Sequence, residues 1–156
     1  AGELNSFRGA TNSDFETYAK GLVVSLKPYA RPDLPNEGDI TLSALESGDA
    51  DGLKNVLLMA QIHYAIANEL KTLKVPEEIK FRHLFLINNI ETLSYADGLM
   101  VNAFDDPKMG IEAVNLYQSA TKGLMNSLAD INDFFKTKGI VFSQDEKLKI
   151  YINTLQ

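Results

Sequence analysis

The sequence predicts an all-α protein, an antiparallel bundle of about four main helices with one or two short accessory helices. Apolar residues recur at spacings of three and four in several separate stretches. Helix-start patterns and prolines fall between those stretches rather than inside them. No stretch alternates apolar and polar residues with the period of two that a strand needs. The 156 residues suffice for one domain with its own core. Residues 1–12 read as a flexible arm, and 13–156 as a single helical-bundle domain with a proline-rich connector over 27–40.

Ser13 with Glu16 has the spacing of a capping box. After it Phe15, Tyr18, Ala19, Leu22, Val23 and Leu26 mark the apolar face of a first helix. Pro28, Pro32 and Pro35 stop it, and the connector is expected to run extended across the surface. Ser43 with Glu46 starts a helix of one or two turns that Gly48 ends. Asp49 or Asp51 caps the next helix, which runs to about Leu73. Its apolar residues, Leu57 and Tyr64 among them, cover more than one stripe and predict burial on two sides.

The stretch 75–107 reads as one long central helix, folded back on its predecessor through a tight link at Val75-Pro76. Its seam is Ile79, His83, Leu86, Ile90, Leu93, Asp97, Met100 and Phe104, with two polar members. Phe81, Leu84 and Phe85 add a second apolar face that calls for another covering helix. Pro107, with Asp106 as its cap, starts the next helix, whose seam runs through Val114, Tyr117, Thr121, Leu124, Leu128, Ile131 and Phe135. Ala113, Ala120, Gly123 and Ser127 flank it and permit close approach of a neighbour, and Gly139 ends it. A last short helix is expected after Ser143.

Composition excludes several functions. With no Cys there is no disulfide, thiolate metal site or Cys nucleophile. A net charge of -6, with 15 basic residues dispersed among 21 acidic ones, argues against nucleic acid as a partner. No apolar run is long enough for this segment to insert in a membrane.

His63 and His83 are the only histidines and lie on consecutive helices of one hairpin. A turn centred near Val75 would offset them by roughly 6 Å along the axis, close enough to share a metal with Glu69 or Asn89. The favoured reading is that each is a hydrogen-bonded seam residue and that there is no metal or cofactor, because metal sites need three or four ligands. A ferritin-like di-iron site is excluded, since Ala60 and Lys80 stand where its Glu-x-x-His glutamates would be. Asp97 falls near Leu53 and Lys54, and an ion pair to Lys54 is the expected partner. Gly98 beside it reads as a packing position. The acidic pairs Glu77-Glu78 and Asp105-Asp106 suit helix N-termini. The SGDADG run over 47–52 reads as a turn and cap. No nucleophile with an adjacent base emerges, so no catalytic residue is nominated and the chain reads as non-enzymatic.

Four segments carry a resemblance: TLSALESGDADGL, LKVPEEIKFRHLFLINNIETL, DDPKMGIEAVNLYQSA and DFFKTKGIVFSQDE. Over 41–146 the chain resembles an exported all-helical domain family of unknown function from candidate phyla radiation bacteria, which have small genomes. The likeness rests on Val75-Pro76, His83 with Asn89, Asp106-Pro107 and Tyr117, and it implies an extracytoplasmic location after removal of an N-terminal signal. The combined expectation is a structural or interaction module, a cell-surface, secretion-apparatus or filament subunit with a protein partner or self-association. The alternative is a metal- or small-molecule-binding bundle using His63 and His83.

Overall fold

The computed structural model describes residues 4–27 and 36–140. The protein is all-α, with five helices and two very short strands among those residues. The last expected helix and most of the proline-rich connector lie outside the described residues.

Helix α1 spans Asn12–Leu26 and starts two residues earlier than the Ser13 box implies. Thr11 is its cap, and Thr11 and Asp14 exchange the reciprocal hydrogen bonds. Helix α2, Glu37–Ser47, begins well before Ser43 and is three turns long. Asn36 caps it by accepting the Asp39 N–H, and Gly48 ends it at φ 72°. In the run 47–52 Asp49 Oδ1 accepts the Asp51 N–H at 2.9 Å and caps a 3-10 turn over Ala50–Gly52, whereas neither Asp49 nor Asp51 caps the following helix, whose cap residue is Gly52. Helix α3, Leu53–Thr72, follows directly.

Between α3 and the next helix the chain does something no periodicity announced. Strand β1, Ser6–Phe7, pairs in parallel with strand β2, Val75–Pro76. The expected arm thus carries a strand, held by the Val75 N–H donating to Asn5 O at 2.8 Å. Two residues are too few to display an alternating pattern. The central stretch is correspondingly shorter than expected. After β2 come a 3-10 turn, Glu77–Ile79, and helix α4, Lys80–Met100. Helix α5 spans Pro107–Thr137, with Pro107 in its first turn and Asp106 accepting the Met109 N–H.

The seams read from the sequence form the core except at Phe104, which lies beyond the end of α4 and is exposed. Leu86, Ile90, Leu93 and Met100 of α4 meet Leu124, Leu128, Ile131 and Phe135 of α5 in one buried cluster. On α3 one broad stripe is buried, Leu53, Val56, Met59, Ala60, His63, Ile66, Ala67 and Leu70. Leu57 and Tyr64 are exposed, so burial on two sides does not occur. Phe81 and Phe85, expected under another helix, are also exposed. Gly123 does serve close approach, since a Cβ there would lie 2.2 Å from Asn89 Oδ1. Gly98 does not, with nothing within 4 Å of that position.

The loop after α4 packs its Ala103 against the start of α5. A Cβ on Gly110 would stand 2.5 Å from Ala103 Cβ and 3.0 Å from Ala103 Cα. Backbone cannot swing aside as a side-chain tip can, so Gly110→Ala is expected to destabilise the fold by about 1–3 kcal/mol. Gly98→Ala, in open space within a helix, is expected to add about 0.5–1 kcal/mol. Urea unfolding of both variants beside the native chain measures the contrast.

Candidate functional site

The site is assembled from the first turn of α2 and the seams of α3, α4 and α5. The Asn36 cap fixes where α2 starts and so places Glu37 in its first turn, where it is only 3% exposed. That turn lies against α5 at Gly38, where an added Cβ would be in ordinary contact with Val114 Cγ1 at 3.4 Å and Tyr117 Cδ1 at 3.5 Å. Thr41 secures the turn through its hydroxyl, which donates to Glu37 O at 2.8 Å and contacts Met100 Sδ at 3.2 Å. The Tyr117 hydroxyl then donates to Glu37 Oε2 at 2.5 Å.

His63 and Asp97 face each other across α3 and α4. His63 Nδ1–H donates to Asp97 Oδ2 at 2.6 Å, with both side chains fully buried. Asp97 Oδ1, equally buried, has no hydrogen-bond partner among the described residues. Glu37, His63 and Asp97 each present a ligand-capable atom, and these atoms lie within 4.8 Å of one another. Four helices thus deliver two carboxylates, an imidazole and a phenol to one buried point.

The electrostatics follow from burial. Loss of water raises the Asp97 carboxyl above its ordinary range, and the His63 contact opposes that rise. Burial likewise raises Glu37. The Tyr117 hydrogen bond pulls it back, and the Asp97 charge pushes it up again. Burial, followed by the charge of Glu37, raises the Tyr117 phenol. Two carboxylates held this close without a counter-cation each resist ionisation of the other.

The two histidines separate. The α3–α4 link takes up residues 73–79, with the strand and the 3-10 turn inside it, and so is centred close to Val75. Instead of meeting one another, the His83 ring reaches Leu70 O and the His63 ring reaches Asp97. His83 Nε2–H donates to Leu70 O at 3.0 Å, and its Nδ1 accepts from the Tyr18 hydroxyl at 2.8 Å. His83 is therefore the hydrogen-bonded seam residue the sequence favoured. The Lys54 partner expected for Asp97 is corrected, because Lys54 pairs with Asp51 at 2.7 Å on the surface. Neither auxiliary ligand weighed from the sequence joins the cluster. Glu69 is exposed, and Asn89 donates to Ser127 Oγ at 3.0 Å. Sequence reasoning missed Glu37, hidden in the assumed connector. The Asn36-to-Asp39 spacing was the signal that would have exposed it.

No family model, curated protein or solved structure matches the chain, so its chemistry is argued from its own residues.

Burial lowers His83 from 6.5 to about 4, with the Leu70 carbonyl opposing the shift. The unfolded chain therefore binds a proton at this residue between those values while the folded chain does not. Its effect is to reduce stability as pH falls through that window, by up to about 3 kcal/mol. The raised carboxyls of Glu37 and Asp97 act in the opposite sense, contributing stability that is lost as pH rises. The His83 share is therefore read as a difference between two chains. His83→Gln is expected to lose less stability than the native chain between about pH 7 and about pH 4.5 in urea titrations.

Proposed function

We propose that this protein is a helical bundle that holds one divalent transition-metal cation in its core, ligated by Glu37, His63 and Asp97. The observation that carries this reading is Asp97 Oδ1, a fully buried carboxylate oxygen with no hydrogen-bond partner among the described residues, set in a cluster of ligand-capable atoms. An oxygen left so is costly, and coordination to a cation offsets the cost. Two carboxylates balance a divalent charge, so the loaded site is neutral. One imidazole beside carboxylate oxygens suits zinc, manganese or ferrous iron better than calcium or magnesium, which favour all-oxygen sites. The reading keeps His63 from the pair weighed in the sequence and replaces His83 with Asp97 and Glu37.

The arrangement that would hold the donors rigidly is an antiparallel packing of α3, α4 and α5. Its support is the order of contacts, in which Ala60 meets Ser94 while Lys71 meets Glu91, and Arg82 meets Asp130 while Asn89 meets Ser127. Positions advancing along one helix thus meet positions receding along the next.

Metal-free protein titrated with Zn2+ or Mn2+ in a calorimeter is expected to bind one ion per chain. Asp97→Asn and His63→Gln are each expected to weaken that binding by more than about tenfold, and His83→Gln to leave the stoichiometry intact. Absence of binding by the folded native chain would overturn the reading and leave a buried water as the partner of Asp97.

A second reading, the extracytoplasmic interaction module, is favoured by one observation. Phe81, Phe85 and Tyr95 lie on the outer side of α4 and are 74%, 65% and 62% exposed. Protein contact is the use we assign to these rings. The location itself rests on the family resemblance. Sedimentation velocity is expected to show concentration-dependent self-association that Phe81→Ser with Phe85→Ser abolishes; a strictly monomeric native chain counts against this reading.

A further inference from the structure

We infer that Tyr117 is a fourth ligand of the same site, and that with its phenolate the site accepts ferric iron. The inference rests on the metal-binding reading and extends it from which residues hold a cation to which oxidation state they accept. Tyr117 is 5% exposed, and its hydroxyl is hydrogen-bonded to Glu37 Oε2, one of the oxygens available as a ligand. A cation seated on Glu37 is thereby brought beside the phenol oxygen. Position 117 belongs to the interior of a 31-residue helix, and the first turn of α2 packs on the ring itself, so the oxygen is held in place.

Charge explains the choice of ion. Net charge in a buried site is expensive. With a divalent cation, the carboxylates of Glu37 and Asp97 suffice and Tyr117 keeps its proton. With ferric iron, the phenolate supplies the third negative charge, while His63 contributes a neutral nitrogen. Both loaded states are neutral, and one proton on Tyr117 is the difference between them. Forming the iron–oxygen bond breaks the phenol O–H bond, the proton passes to solvent, and no electron is transferred. Three oxygen donors and one imidazole are also the hard set that ferric iron prefers over softer ions.

Ferric nitrilotriacetate added to the metal-free chain probes this directly. The native chain is expected to take up one iron and develop a visible phenolate-to-iron absorption, with tyrosinate modes in the resonance Raman spectrum. Tyr117→Phe, checked for folding by circular dichroism, is expected to lose that absorption while still binding Zn2+. A chain with Tyr29, Tyr64, Tyr95 and Tyr151 all changed to Phe, and separately Tyr18→Phe, are each expected to retain it. Should the native chain bind Zn2+ or Mn2+ yet give no such absorption with ferric iron, the inference falls and the divalent reading stands. An absorption that survives Tyr117→Phe, or disappears when the other tyrosines are changed, overturns it equally. Failure to bind any of the three ions brings down both.

Discussion

The contact between His63 and Asp97 is the constraint around which the helices are arranged. It sits between α3 and α4 where the seams would otherwise be apolar, and both partners are sealed from water. A buried ionisable pair is a poor source of net stability compared with well-packed hydrocarbon, because both groups must be stripped of solvent. Its presence therefore constrains the register more than it strengthens the core. Sliding α3 by one turn against α4 would leave each partner facing apolar side chains. Glu37 and Tyr117 then attach α2 and α5 to the same point, so one polar locus organises four helices.

How much of this was legible follows from which signals are local. The seams on α4 and α5 were readable because a three-four spacing sustained over five turns or more has few competing explanations. His83 and Asp97 stood out as polar interruptions in the α4 seam, and Tyr117 had its place in the α5 seam. The partner of each was not legible. Pairing depends on the number of residues consumed by the link between helices, and the link after α3 consumes a strand and a 3-10 turn that carry no periodic signature. Residues level across the link need not be partners either: the His63–Asp97 and His83–Leu70 contacts stand seven residues apart on α3 and fourteen on α4, so side-chain reach along the helices decides them.

Helix α2 was misjudged for a different reason. Prolines upstream and Gly38 inside its first turn resemble loop chemistry, and Glu37 on a supposed connector reads as a solvated charge. Gly38 sits against Val114 and Tyr117 of α5, so the turn that resembled a loop packs on the helix that carries Tyr117. On α3 the error ran the other way. Leu57, Leu58 and Tyr64 are apolar but exposed, and apolar content alone overstated how many sides of the helix are covered.

His83 has a consequence for how the fold opens. Its ring takes the carbonyl of Leu70 from the last turn of α3 and the hydroxyl of Tyr18 from the middle of α1. The end of α3 has no glycine stop, since Leu73 follows it in extended conformation, and Leu70 O accepts both the Leu73 N–H and the His83 ring. Fraying at that end removes a hydrogen bond from the side chain that also anchors α1. The His83 ring thereby couples the middle of α1 to the last turn of α3, two segments far apart in sequence.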